Sequence, residues 1–331
     1  MTKMTRKLVD LLDSQFKEPP SVRGIKRFLL PLAIILTFLA ACSPSNPTPP
    51  GIVTDSLERP VNIENIPQRI ISLTPSNTEI LFALGLGDKT IGVTDYCNYP
   101  PKALDKEKVG GYSTPDIEKI IALQPDLILA DIIHAKEVIP SLEKKGLTVF
   151  TLGPENLNGM LEDIKMVGKI TGKEKEASEL VTQMENRIEA ITDKTQKLPA
   201  RPEVLYITWH DPLWTMGSET TTQELIEKAG GVNIFQGMIT GYQMVDLEVV
   251  IARNPQVIIT STGHGDAKDL PLEWAKSEPR LGVTEARQNN RVYQIDADLV
   301  DRTGPRIVDA LEWLAYFIHP EIFPEPEGPA T

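Results

Sequence analysis

The sequence is poor in the residues that build metal sites and disulfide frameworks, with two cysteines and four histidines among 331 residues. Two cysteines, Cys42 and Cys97, cannot build a disulfide framework, and no Cys/His spacing typical of a zinc site is present. Basic residues are also scarce: 34 Lys and Arg face 46 Asp and Glu, for a net charge of −12. The body of the chain has no basic run, which argues against nucleic acid as a partner.

The chain also lacks an apolar run of the roughly 20 residues that a membrane span requires. Its N-terminal apolar run, residues 28–41, has fourteen residues and follows Arg23, Lys26 and Arg27. Residues 1–41 carry a charge of +4, which leaves −16 on the remainder. A basic stretch, a short apolar stretch and small residues predict a secretory signal over residues 1–41. Because the first 20 residues are long and polar for a signal, we expect the true start near Ser21 or Val22.

The signal ends in "LAAC", which resembles the lipobox of bacterial lipoproteins. The resemblance implies that Cys42 becomes the first mature residue and carries a lipid; a signal-anchor helix with an incidental cysteine is the alternative. The following "SPSNPTPPG" is rich in Pro and Ser and predicts a flexible, lipid-anchored tether over residues 42–60. We therefore expect the protein at the cell envelope, on the outer face of the cytoplasmic membrane or in the periplasm.

The body of the chain contains one motif twice. "IEKIIALQPDLILA" at 117–130 returns as "LEVVIARNPQVIIT" at 247–260, with five of fourteen positions identical. In each copy a helical pattern stops at a proline, Pro125 or Pro255, and a short apolar run follows. The repeat therefore predicts two halves that share a helix–turn–strand unit.

Strands alternate with helices on both sides of one long helical pattern at about 172–196, which predicts two parallel sheets with helices on their faces. The predicted fold class is α/β, with two Rossmann-like lobes joined by a single long interdomain helix. The expected boundaries are an N-terminal lobe at 61–170, a connecting helix at 171–198, a C-terminal lobe at 199–320 and a tail at 321–331. Since open α/β sheets bind ligands beyond the carboxyl ends of their strands, we expect a cleft between the lobes.

Several segments resemble the periplasmic-binding-protein family with a helical backbone, the class III fold. The segments that carry the resemblance are "LTPSNTEILFALG" (73–85), "GVTDYCNYPP" (92–101), the two copies of the repeat, "AGGVNIF" (229–235) and "RTGPRIVDAL" (302–311). The resemblance covers nearly all of residues 67–320 and lies nearest the cobalamin-binding branch. It implies a monomeric solute-binding lipoprotein that delivers its ligand to an ABC importer, a permease dimer with its ATPase. It implies neither an enzymatic activity nor an intrinsic cofactor or metal.

Each copy of the repeat carries a glutamate, Glu118 or Glu248, at the same position. In the family one surface glutamate on each lobe docks to arginines of the permease, and these two match. The alternative is purely local, since a carboxylate in the first turn of a helix is favoured by the helix dipole.

The ligand should be held by aromatic side chains in the loops that follow the strands. The candidates are Tyr96 and Tyr112 in the N-terminal lobe and Trp209, Trp214 and Tyr242 in the C-terminal lobe. The alternative for the two tryptophans is packing in the core.

The resemblance adds further expectations about the ligand pocket. Tyr112 and Tyr242 stand where the cobalamin-binding pattern has tryptophans, and Leu299 stands where it has an aromatic residue. Asp298 and Arg302 match positions near the amides of the corrin. His210 could touch the cobalt face or the nucleotide loop. The predicted cargo is therefore a corrinoid, cobalamin or a relative, carried as a transported ligand.

Other functions stay open at this stage. A ferric siderophore would call for several Lys and Arg in the cleft, where only Arg302 is plausible. Haem iron could take a ligand from one of five side chains: Tyr96, Tyr112, His134, His210 or His264. An enzyme is disfavoured because no nucleophile–base spacing or phosphate loop stands out, and a purely structural lipoprotein would not need paired glutamates.

Overall fold

The computed structural model describes residues 50–262, 269–328 and 330. The predicted signal, Cys42 and His264 lie outside these residues. Within the described part of the chain, no helix is both long enough and apolar enough to cross a membrane.

The described chain opens with an antiparallel hairpin, β1 (Gly51–Thr54) and β2 (Pro60–Ile63). Asp55 lies in the turn of this hairpin and is buried. Its carboxylate accepts hydrogen bonds from the backbone of Leu57, Arg59 and Thr151, and it forms an ion pair with the Arg59 side chain. The sequence assigned residues 42–60 to a flexible tether. The structure differs for residues 51–60, which belong to this hairpin, because the buried carboxylate ties the hairpin to the N-terminal lobe.

The N-terminal lobe is built on a five-stranded parallel sheet in the order β5-β4-β3-β6-β7. Its strands are β3 (Ile70–Ser72), β4 (Thr90–Val93), β5 (Glu107–Lys108), β6 (Leu127–Asp131) and β7 (Val149–Leu152). Its helices are α1 (Pro75–Ala83), α2 (Ile117–Ala122) and α3 (Val138–Glu143). Apart from β5 these strands are almost wholly buried, as expected for a parallel sheet covered on both faces.

Two helices lead from this sheet to the next one. Helix α4 (Leu157–Thr171) ends at Gly172, whose φ of 68° lies in the left-handed region that favours glycine. Helix α5 (Glu174–Thr195) then runs to the second lobe and coincides with the long helix predicted from the sequence. The two helices pack against each other as a hairpin.

The C-terminal lobe carries a four-stranded parallel sheet and a three-stranded antiparallel one. The first has the order β11-β8-β13-β14, formed by β8 (Glu203–Ile207), β11 (Val232–Asn233), β13 (Val257–Ser261) and β14 (Val292–Ile295). The second has the order β12-β10-β9, formed by β9 (Trp209–His210), β10 (Leu213–Met216) and β12 (Tyr242–Met244). The helices are α6 (Thr221–Lys228), α7 (Leu247–Arg253), α8 (Leu270–Ser277), α9 (Glu285–Gln288), α10 (Ala297–Val300) and α11 (Ile307–Ile318).

One apolar core runs through both lobes. It includes Leu127 from the first sheet, Val181 from α5, Ile259 from the second sheet and Leu314 from α11. Arg187 of α5 also binds α11 through ion pairs with Asp309 and Glu312, at 2.6 and 2.7 Å. The predicted architecture of two α/β lobes joined by one long helix is therefore confirmed.

Candidate functional site

A cleft of about 910 Å³ lies between the lobes. Ile132 and residues 153–156, after β6 and β7, line its N-terminal side, while the C-terminal side comes from the segments 218–227, 236–242 and 300–303. A second cavity of about 390 Å³ is lined by Thr208, Trp209, Tyr242, Ser261, Thr262, Ala297 and Asp301. Tyr242 and Asp301 line both cavities, so the two spaces are continuous. They lie at the carboxyl ends of the parallel strands, where open α/β sheets bind ligands.

Two of the predicted ligand residues, Trp209 and Tyr242, line this cleft. The sequence placed Trp209 and Trp214 in one strand-exit loop. The structure instead pairs them directly across the β9–β10 hairpin, which puts their side chains on the same face. The Trp209 indole donates to the carbonyl of Asp211 at 2.9 Å, which fixes the ring. Tyr242 has an exposed edge, and burial together with the charge of Asp301 raises the pKa of its hydroxyl.

His210 packs between two tryptophans. Its ring centroid lies 4.8 Å from that of Trp209 and 6.2 Å from that of Trp274. Its cross-strand partner is Leu213, which belongs to a core cluster that Trp274 covers. Its Nδ1 is buried and has no hydrogen-bond partner in the described part of the chain. His210 therefore sits beside the cleft aromatics but does not line either cavity.

Tyr112 and His134 form a closed hydrogen-bonded unit on the N-terminal side. His134 is buried; its Nδ1 accepts from the backbone of Asp131 at 3.0 Å, and its Nε2 lies 2.7 Å from the carbonyl of Tyr112. Burial, with the charge of Asp131 and a hydrogen bond to it, raises the pKa of Tyr112 to about 12. Both ring nitrogens of His134 are thus engaged, so binding haem iron would require breaking these bonds.

Asp298 and Arg302 lie in a polar network between the lobes. Arg302 pairs with Asp298 at 2.6 Å and donates to Asn98 Oδ1 at 2.6 Å, and Asn98 in turn donates to Asp298 at 2.9 Å. The carbonyl of Tyr96 accepts a longer bond from Arg302, at 3.4 Å, while the Tyr96 side chain is 63 % exposed. None of these residues is among those that line the two cavities.

Asp163 is a charged residue of this region that the sequence did not suggest. Burial raises the pKa of its carboxyl to about 7, although a hydrogen bond from the backbone of Gly153 acts to lower that pKa. Its Oδ2 is buried with no hydrogen-bond partner among the described residues. Gly153 lines the cleft, so Asp163 stands directly behind the N-terminal wall.

The cleft itself is acidic. Its described lining contains five carboxylates and neither lysine nor arginine; the carboxylates belong to Glu155, Glu219, Glu224, Glu227 and Asp301. Amides and hydroxyls supply most of the other polar groups, among them Asn156, Gln223 and Gln236. The described residues hold no group of three or more His, Cys, Asp or Glu arranged to bind a metal ion.

The two glutamates of the repeat lie in matching places. Glu118 is in the first turn of α2 and Glu248 in the first turn of α7. Glu118 is exposed and has no ion-pair partner among the described residues. Glu248 is exposed and faces Arg280 at 3.4 Å. Neither carboxylate is among the residues lining the cleft.

Known proteins with similar sequences are substrate-binding proteins. The chain is 34% identical over 285 residues to the uncharacterized ABC transporter substrate-binding lipoprotein YvrC of Bacillus subtilis, covering 83% of this chain and 88% of YvrC. It is 32% identical over 253 residues to the vitamin B12-binding protein of Vibrio cholerae, covering 76% of this chain and 89% of that protein.

Solved structures give the same fold with different ligands in their descriptions. A possible iron-binding protein from Staphylococcus epidermidis superposes with a TM-score of 0.68 at 31% identity, over 77% of this chain and 100% of that one. The haem-binding protein RhuT from Roseiflexus superposes with a TM-score of 0.68 at 26% identity, over 76% of this chain and 98% of that one. The family model described as "periplasmic binding protein" matches residues 70–299. The chain therefore belongs to the periplasmic binding protein family, whose members are non-enzymatic, substrate-binding components of transport.

Proposed function

We propose that this protein captures a corrinoid in the interlobe cleft and delivers it to an ABC importer. The observation that carries the proposal is the chemistry of the cleft: carboxylates, amides and hydroxyls without a described cation, beside the aromatic faces of Trp209 and Tyr242. A corrin offers a broad apolar face and a rim of neutral amides. The amides can donate to carboxylates and hydroxyls, and the face can lie against the aromatic rings.

The acidic lining disfavours the two iron-bearing alternatives. An anionic ferric siderophore, or haem with its two propionates, would bring negative charge next to carboxylates such as Glu155 and Asp301. Placing like charges side by side in an interface costs several kcal/mol. His134, one of the possible haem ligands, already has both ring nitrogens engaged. The similarity to the Vibrio cholerae vitamin B12-binding protein supports the same choice.

The cargo proposal is tested by removing the aromatic faces one at a time. Trp209→Ala and Tyr242→Ala should each weaken cyanocobalamin binding about tenfold or more, the loss typical of a central aromatic contact. Ile52→Ala is the matched control, because Ile52 is exposed on the N-terminal hairpin and lines neither cavity. Isothermal titration calorimetry measures the affinities. Unchanged binding in both aromatic variants would place the corrinoid elsewhere.

We further propose that Glu118 and Glu248 dock the protein to the permease. They occupy the same position in the two copies of the repeat and are exposed outside the cleft. Arginines on a partner can bind such carboxylates bidentately, which fixes orientation. Arg280 already faces Glu248, so the permease must compete with this exposed ion pair, which solvent screens.

Charge reversal separates docking from capture. Glu118→Arg together with Glu248→Arg should abolish uptake of the cargo while calorimetric binding stays at the wild-type level. Glu189→Arg is a suitable control, an exposed glutamate outside the repeat whose carboxylate has no ion-pair partner among the described residues. Normal uptake in the double variant would exclude these two residues as the contacts.

Lipid attachment at Cys42 is also a proposal, supported by the "LAAC" sequence and by the lipoprotein relative YvrC. Cys42→Ala should release the processed protein from the membrane fraction, and a variant that stays membrane-bound after removal of the signal would contradict lipid anchoring.

A further inference from the structure

A buried ion pair joins the two lobes beneath the residues that line the ligand cleft. Glu79 of α1 belongs to the N-terminal lobe, and its side chain is 2 % exposed. Its Oε2 accepts from Nε of Arg306 at 2.9 Å, and its Oε1 accepts from Nη2 of the same arginine at 2.6 Å. Arg306 immediately precedes α11 of the C-terminal lobe. The two lobes are therefore joined by a buried, bidentate arginine–carboxylate pair, the geometry that fixes orientation best.

A second arginine from the same loop extends the contact. Arg302 reaches Glu79 at 3.5 Å and donates to Asn98 at 2.6 Å, and both of these partners are in the N-terminal lobe. Asn98 also donates to Asp298 across the same interface. The guanidinium of Arg306 lies 4.0 Å from the ring centroid of Tyr99, a cation–π contact that again crosses between the lobes.

This network stands between two cavities. On one side Asp301 and Thr303, from the loop that carries the arginines, line the ligand cleft. On the other side Glu79 and Arg306 line a separate groove of about 510 Å³ that is closed by α5. The contact thus lies at the floor of the cleft, between the ligand space and the connecting helix, where a change in the angle between the lobes must deform it.

We propose that Glu79, Arg302 and Arg306 form an interlobe clamp that holds the two lobes at one fixed angle before any ligand arrives. The apolar core and α5 also join the lobes, and the three contacts of the two arginines with the Glu79 carboxylate add a directional contact at the floor of the cleft. The clamp also orients Asp298 and Arg302 through Asn98, so these two side chains are held by protein partners in the unliganded state. The inference does not depend on which cargo the cleft binds.

Interlobe distances in the unliganded protein test the clamp. Spin labels at Lys145→Cys and Asn289→Cys, exposed residues of the two lobes, report the distance by double electron–electron resonance in the full chain with Cys42→Ala. Cys97 is fully buried and should stay unlabelled. The clamp should give one narrow distance distribution. Glu79→Gln, which removes the charge, and Arg306→Lys, which keeps it but loses the bidentate geometry, should each broaden the distribution and shift its mean.

Arg187→Lys is the matched control. Arg187 makes a comparable two-carboxylate contact, but with Asp309 and Glu312 of α11 and not with the sheet of the N-terminal lobe, so the distribution should stay narrow. If a buried variant fails to fold, Asn98→Ala decides, because Asn98 is exposed and bonds from the N-terminal lobe to both Arg302 and Asp298 of the C-terminal lobe. Folded clamp variants with the wild-type distance distribution would overturn the proposal.

Discussion

Single side chains around the cleft are held by neighbours to different degrees. Tyr112, His134 and Asp131 are joined by hydrogen bonds to one another. In contrast, one carboxylate oxygen of Asp163 is buried without a hydrogen-bond partner among the described residues. A buried carboxyl without enough hydrogen bonds favours its neutral form, which accounts for the raised pKa of Asp163. The stability of the protein should therefore depend on pH through this residue.

Asp163→Asn should remove that dependence. The folded-state pKa of about 7 lies above the unfolded value of 3.8, so the folded protein binds the extra proton between these values and loses that stabilisation as pH rises through 7. Relative to the variant, the wild-type protein should lose on the order of 2 kcal/mol of unfolding free energy between about pH 5 and pH 8. Urea unfolding at the two pH values measures the difference. Asp88→Asn, at an exposed position, is the control, and a pH-independent difference between wild type and Asp163→Asn would contradict the assignment.

The sequence predicts the contacts of a side chain whose partner is close by in the chain. It does not predict those of a side chain whose partner is far away in the chain. Asp116 caps α2 as its position predicts, by accepting from the backbone of Lys119. For α1 the sequence predicts a cap at Ser76 or Asn77, and this is wrong: Thr74 caps the helix, and Pro75 occupies its first position. With that cap, Glu79 would lie in the first turn, where the helix dipole favours a negative charge. It is instead buried against arginines more than 220 positions away, which no local pattern contains.

The surroundings of Glu79 nevertheless indicate that its carboxylate must be paired. Residues 77–81 of α1 are buried on every side, and such a helix can bury a glutamate only if the carboxylate is paired. "RTGPR" offers two arginines four positions apart, but the sequence alone does not bring them to α1.

At the scale of elements, the repeat forms the same unit in both lobes. Helices α2 and α7 lead into β6 and β13, and each of these strands has a parallel neighbour on both sides. Each helix is followed by a residue with positive φ, Gln124 at 50° or Asn254 at 48°, just before the shared proline. This shared backbone feature gives the repeat an architectural role, whatever its glutamates bind.

Replacing these two residues by glycine should change the unfolding free energy in opposite directions. Gln124→Gly should raise the unfolding free energy by about 0.5–1 kcal/mol, because the exposed Gln124 side chain makes no hydrogen bond to a described residue and glycine relieves the left-handed strain. Asn254→Gly should lower it by about 1 kcal/mol, because the Asn254 amide bonds both the backbone and the side chain of Glu285. Urea unfolding of both variants makes the comparison, and equal shifts would refute the argument.

The parallel strands were predictable and the antiparallel sheet was not. Strands such as β6 and β13 are continuous apolar runs bounded by helix signals. By contrast, β9 has two residues and β12 three, too few for an alternating pattern to appear. For that reason the tryptophan pair was assigned to a loop, although both residues belong to a hairpin.

At the scale of the whole molecule, the two lobes share a core, a connecting helix and a polar contact at the floor of the cleft. Such a molecule is suited to capture with little rearrangement. The sequence predicted this architecture because the repeat and the long helix are local patterns. The chemistry of the cleft was harder to predict, because its carboxylates come from segments more than 140 residues apart.

We expect the acidic cleft, with its two aromatic side chains, to bind a corrinoid in preference to anionic iron ligands. Isothermal titration calorimetry of the purified protein with cyanocobalamin, haem and a ferric catecholate siderophore measures this preference. Cyanocobalamin should bind at micromolar concentration or below, and the two anionic ligands should bind much more weakly. Tight haem or siderophore binding without measurable corrinoid binding would contradict this expectation.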